Sequence, residues 1–167
     1  MQTVLGRMFL MGFVPFSWCN TSCYFTIYKK GMNKMKYICH KKYNKKAACG
    51  EELLVCVDDE LETVGPFIAQ NEKAVCTVTS EDAYMYFARN DDGNGRKRGN
   101  LTYKIAYAPR HPNKDNGFRF TEEEIEMLEE NYSKYLRKNA NTIIFNYDFF
   151  NASIEDLQEI YNRLEES

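Results

Sequence analysis

The chain has 167 residues and a formal net charge of -2 at pH 7. That is about one domain's worth of sequence, long enough to bury a core, and too nearly neutral to coat a nucleic-acid polymer by bulk electrostatics, so any anion site must be local. Twelve Tyr and eleven Phe against one Trp suit a packed core or a stacking pocket and exclude a disordered chain.

The first segment reads differently from the rest. MFLMGFVPFSWCN, residues 8–20, follows Arg7 with an apolar run, but it lacks a small-residue cleavage site and is too short and Pro-broken to span a bilayer. Residues 1–34 are expected to be an N-terminal extension outside the functional core, and residues 35–167 a single α+β ligand-binding domain in the cytoplasm, with no membrane contact. Cys19, Cys23, Cys39, Cys49, Cys56 and Cys76 are even in number. Without a secretory signal, and in a lysine-rich context, they read as reduced thiols and not as a disulfide framework. Cys19, Cys23 and the Cys39-His40 pair could offer zinc ligands, but paired C-x2-C knuckles are missing. Buried free thiols are expected, with no metal and no cofactor.

From Met35 onward KYICHKK, ELLVCVDD, PFIAQ and AVCTVTS are short β-branched or aromatic runs. Gly50, Asp58-Asp59, Gly65-Pro66 and Asn71-Glu72 separate them, which predicts a small antiparallel sheet in the N-terminal half. TSEDAYMYFARN then changes period. Thr79 and Asp82 stand at capping-box spacing, and Ala83, Tyr86 and Phe87 share a helical face, predicting a short helix that delivers Arg89 into a loop. In TEEEIEMLEENYSKYLRK, Thr121 and Glu124 form a capping box, Ile125, Leu128, Tyr132 and Leu136 make a buried stripe, and the charges run from acidic to basic along the helix. NTIIFNYDFFN reads as a strand or tight extended segment. A last helix starts at NASIED, with Ser153 as cap, Asp156 as its partner, and Ile154, Leu157, Ile160 or Tyr161, and Leu164 at helical spacing. The expected fold class is α+β: a small antiparallel sheet followed by C-terminal helices.

The most unusual stretch is FARNDDGNGRKRGNL, residues 87–101. A calcium loop fails because carboxylates do not recur at alternate positions and Leu101 stands where the bidentate Glu would fall. A Walker loop fails on its G-x4-G-K-[ST] spacing. Two readings remain. One is a solvated charged turn. The other is a set of glycine-permitted turns whose N–H groups converge on an anion, with Arg89, Arg96, Lys97 and Arg98 supplying charge and Asn90, Asp92 and Asn94 supplying polar edges. FNYDFFN, residues 145–151, alternates Asn146, Asp148 and Asn151 with rings, the mixture that holds purine bases, or else is an aromatic core before a helix start. GFRF offers Phe118, Arg119 and Phe120 in similar terms. His40 and His111, the two histidines, have no motif linking them to a nucleophile, so the chain reads as a non-enzyme with no catalytic residues.

MKYICHKK, TSEDAYMYFARNDDGNGRKRGNLT and NYDFFNASIEDLQEI together resemble a family of small phage and prophage proteins of low-GC Gram-positive bacteria, in which an FARNDDGNG loop and an HDFFNAPIEDL ending recur. This is similar to the first family of Thoeris anti-defence proteins, over residues 35–162, with YAPRHPNKDNGFRF departing from the pattern. The resemblance implies a homo-oligomeric sponge that sequesters cyclic ADP-ribose isomers, and also cyclic oligonucleotides, without cleaving them. Arg89, Asn94 and Arg98 would then contact phosphates or bases. A small cyclic nucleotide is the expected partner, and a long nucleic acid is not. The alternative is a phage protein that inhibits a host defence nuclease by presenting the acidic face of TEEEIEMLEE as a nucleic-acid mimic.

Overall fold

The structure, a computed structural model, describes residues 33–46, 51–108, 119–140 and 142–167. The expectations for residues 1–32, Cys19, Cys23, Cys49, His111 and Phe118 lie outside these. Alternation of buried and exposed side chains builds the sheet. In β1 (Lys36–Cys39) Tyr37 and Cys39 point inward, as period two requires. This strand pairs antiparallel with both β4 (Glu60–Val64) and β7 (Phe87–Arg89). β5 (Phe67–Gln70) and β6 (Lys73–Thr77) extend β4 as a meander, giving the order β6-β5-β4-β1-β7. The turns are those the sequence chemistry asks for. Gly65 has φ of 59° next to Pro66, and the two-residue Asn71-Glu72 turn puts both residues at positive φ, as hairpin twist demands. β2 (Tyr43–Lys46) and β3 (Glu52–Val55) form a separate hairpin.

α1 (Glu81–Tyr86) carries the chain from β6 back to β7. Its cap is Ser80, whose hydroxyl accepts from the Ala83 N–H at 3.3 Å. Thr79 is therefore not the cap, and no capping box forms, because the third helical position is Ala83. Phe87, expected on this helix, begins β7; its ring belongs to the sheet core with Tyr37, Cys39, Tyr43, Leu61 and Ile68. β2, β4 and β7 went unread in the sequence, and the strand Leu136–Asn139 was read as helix. β4 is ELETV, too acidic to look like a strand, and β7 is only three residues long.

The largest correction is α2 (Gly95–Ala106), a twelve-residue helix where a loop was expected. Its buried face is Gly95, Arg98, Gly99, Leu101, Thr102, Ile105 and Ala106, a stripe that polar and small residues disguise. The glycines are there for clearance. A Cβ at Gly99 would lie 2.3 Å from the His40 ring, and one at Gly95 would lie 2.7 Å from Asn90 and Ile38.

α3 (Glu122–Tyr132) has the expected box. Thr121 Oγ1 accepts from the Glu124 N–H at 3.1 Å, and Glu124 Oε2 accepts from the Thr121 N–H at 2.7 Å. The helix stops at Tyr132, so the basic run Lys134, Arg137 and Lys138 does not form its last turn. Instead β8 (Leu136–Asn139) pairs with β9 (Thr142–Phe145), and Leu136 is buried as a strand residue. After β9 the chain does not stay extended: α4 (Tyr147–Phe150) follows at once, capped by Asn146. α5 (Ile154–Glu166) starts at Ser153, whose hydroxyl accepts from the Asp156 N–H at 3.1 Å. Leu101, Ile105, Leu128, Phe149, Leu157, Ile160 and Leu164 form the helical core. The fold is therefore α+β, with the antiparallel sheet in the N-terminal half and the helices towards the C-terminus. No helix among the described residues is long and apolar enough to cross a membrane.

Candidate functional site

The charged loop between β7 and α2 satisfies itself. Arg98 is 7% exposed. Its Nη1 donates to the Arg89 carbonyl at 2.7 Å, its Nη2 to Asp92 Oδ2 at 2.6 Å, and its Nε to the Ala152 carbonyl at 3.1 Å. The Arg98 hydrogen bond, with help from the Asn94 N–H, holds the Asp92 carboxyl down at about 2. Asn90 Oδ1 accepts from the Gly95 N–H at 2.8 Å and opens α2, while Gly93 turns at φ of 77°. Asp91 accepts from Arg89 Nε at 2.6 Å and from the Lys36 N–H at 3.0 Å. Arg89, Asn90, Asp92 and Arg98 thus come together as foreseen, but their hydrogen bonds point at one another and at three backbone segments. The loop is a polar joint between the sheet core and the helical core. Asn94 is exposed beside it, with no side-chain cap bond.

The FNYDFFN residues are also placed. Asn146 Oδ1 accepts from the Phe149 N–H at 3.2 Å and its Nδ2 donates to the Lys134 carbonyl at 2.7 Å, so it is a helix cap. Asp148 is exposed on α4. The alternating face expected of an extended run does not form, because the Asn146 cap turns the chain into a helix.

Arg119 stands at a different place. It lines a half-open cleft of about 600 Å³ walled by Tyr84 of α1, Ala106 and Tyr107 at the end of α2, Phe120, Ile143 and Phe145 of β9, and Phe150 of α4. Tyr84 and Phe150 stack face to face, with centroids 3.8 Å apart and planes at 8°. Phe145 lies 6.2 Å from Phe120 and 4.2 Å from Phe149, so the apolar wall is anchored in the helical core. Polar groups are few: Thr79, Glu81, Thr142 and Arg119. The Arg119 guanidinium donates to the Ala108 carbonyl at 3.3 Å and lies 5.7 Å from the Phe120 centroid. Burial, with the nearby Glu81 carboxylate, pushes the Tyr107 phenol up to about 12, so it is a hydrogen-bond donor at any ordinary pH. Volumes of this order, mostly apolar and carrying a small number of placed polar groups, are those of small-ligand sites.

Of this cleft the sequence offered Arg119 and Phe120. It also offered Phe145 and Phe150, as rings of FNYDFFN, while Glu81, Tyr84 and Tyr107 were missed, since they come from separate elements. The signal that existed was Tyr103 and Tyr107 at helical spacing, hidden with the unread α2. His40 is buried against Gly99, with Nε2 lacking a hydrogen-bond partner and burial lowering its pKa to about 4. Cys39 and Cys76 are buried free thiols, and Cys56 is exposed. Among the described residues no three His, Cys, Asp or Glu side chains converge as a metal site. No protein-family model, curated protein or solved structure matches this chain.

Proposed function

We propose that this protein is a phage-encoded anti-defence binder that sequesters a small cyclic nucleotide signal, of the cyclic ADP-ribose or cyclic oligonucleotide kind, and releases it unchanged. The observation that supports this reading is the cleft. Five aromatic rings line it, Arg119 supplies a cation for a phosphate, and Glu81 and Thr142 supply edges for hydroxyl or amino groups. The ligand contacts move with it, from the FARNDDGNG loop to Arg119, Tyr107 and Tyr84. The cleft is half-open, and a second copy covering it would enclose a small ligand more fully than one domain does, which is the reason to expect a homo-oligomer.

A second reading has its own observation. Residues 119–167 carry twelve acidic and five basic side chains, and Glu122, Glu123, Glu126, Glu129 and Glu130 are exposed on α3. Such a face suits an inhibitor that occupies the nucleic-acid groove of a host nuclease. One experiment separates the two. The protein is mixed with the product of a TIR-domain enzyme, the filtrate is assayed for effector activation, and the protein is then denatured and assayed again. Suppression that heat reverses supports sequestration. Suppression that persists with a new product by mass spectrometry means hydrolysis, and no suppression by a panel of cyclic nucleotides gives the nuclease inhibitor first place.

A further inference from the structure

Running up to the cleft's edge at Tyr107, tyrosines and lysines alternate along one surface. On α2, Arg96, Asn100, Tyr103 and Tyr107 follow at helical spacing, a row about 17 Å long by the helical rise. Arg96 and Asn100 are exposed, and the two tyrosines are half-buried. The Tyr103 and Tyr107 centroids are 5.7 Å apart, and Tyr107 is itself a wall of the cleft. Lys41, just past β1, holds its Nζ 4.1 Å from the Tyr103 centroid and donates to the Tyr103 hydroxyl at 2.8 Å. The same Nζ is 5.8 Å from the Tyr86 centroid, and the Lys45 Nζ is 5.5 Å from that ring. The order along the surface is therefore Lys45, Tyr86, Lys41, Tyr103, Tyr107. Asp82 pairs with Lys45 on this track, while Lys42 beside it is exposed.

We infer that this track binds a short single-stranded oligonucleotide, with bases stacking on Tyr103 and Tyr86 and phosphates meeting Lys41 and Lys45. Interleaved rings and cations are what an unpaired strand uses, because every base offers a π-face and every linkage a negative charge. A duplex hides those faces in its stack and presents phosphates, sugars and base edges instead. The acidic excess of residues 119–167 disfavours a polyanion there and leaves the lysine-bearing track as the local site. The net charge of -2 is compatible with this because the site is local.

The test is fluorescence anisotropy with labelled thymidine dinucleotide, tetranucleotide and octanucleotide at several salt concentrations. Affinity is expected to rise with length and fall with salt. Tyr103→Ala is expected to weaken octanucleotide binding by about tenfold or more. Lys41→Gln, at a half-buried position outside the two apolar cores, is expected to reduce the logarithmic salt slope by about one. Equal binding of a duplex or of polyglutamate would overturn the assignment in favour of a general polyanion surface, and so would wild-type affinity in both variants. The inference does not rest on the cyclic-nucleotide reading. Cyclic nucleotide held with no oligonucleotide bound overturns the track alone; oligonucleotide bound and lost in Lys41→Gln, with no cyclic nucleotide held, overturns the sponge alone.

Discussion

The loop between β7 and α2 and the cleft at the far end of α2 are made of the same materials and are packed differently. Both hold arginine, acidic and amide or hydroxyl groups. In the loop Arg98 meets two carbonyls and a carboxylate within 3.1 Å, and the side chain is 9% exposed. In the cleft Arg119 donates to the Ala108 carbonyl at 3.3 Å, and rings make much of the walls. A cationic, glycine-bearing stretch is thus not by itself a ligand site, since its cation can be fully engaged within the fold. Where acceptors are packed to hydrogen-bonding distance, the cation serves the fold.

Substitutions at both places test that contrast. The largest effect is expected from Arg98→Ala, which strands the Arg89 and Ala152 carbonyls and the Asp92 carboxylate. A stability loss of about 3 kcal/mol is expected by denaturant unfolding. Normal stability with lost ligand binding would instead return the loop to the role its sequence suggests.

Acid should loosen the same joint. The His40 pKa is lowered by burial, and by the Lys41 charge, from 6.5 to about 4 despite a backbone hydrogen bond with Tyr84. Because the unfolded chain binds the proton more readily, His40 supports the fold fully above pH 6.5 and loses that support as pH falls towards 4. The span is up to about 3 kcal/mol, read as melting temperature against pH, and it should flatten in His40→Gln. Asp92, held at about 2, acts in the same direction at still lower pH.

Gly99→Ala drives a methyl to within 2.3 Å of the His40 ring and should cost about 1–3 kcal/mol. Combining it with His40→Ala should recover part of that loss, and simple additivity of the two would mean that the contact does not couple them. In the cleft, Tyr107→Ala should cost about tenfold in cyclic-nucleotide retention with a small change in thermal midpoint. Smallest of all, Arg89→Ala removes a largely exposed pair with Asp91 and should change stability by less than about 1 kcal/mol.

What the sequence determined by itself was local. The Thr121–Glu124 box, the Ser153 cap, the turns at Gly65-Pro66 and Asn71-Glu72, and the strands around Tyr37, Leu53, Ile68 and Val75 all follow from neighbours within about four residues, the range over which caps, turns and periodicity act. Tertiary structure decided the rest. α2 looked like a loop because Gly95, Arg98 and Gly99 sit on its buried face. Those choices make sense only once His40, Ile38 and the Ala152 carbonyl press against it. The run after Tyr132 looked helical until TIIF took it as a strand partner. The cleft drew Tyr84, Tyr107, Arg119, Phe145 and Phe150 from distant parts of the chain. Spacing along the sequence carries no record of such long-range neighbours, and it is they that decide whether a glycine is a hinge or a clearance and whether an arginine is a ligand or a bolt.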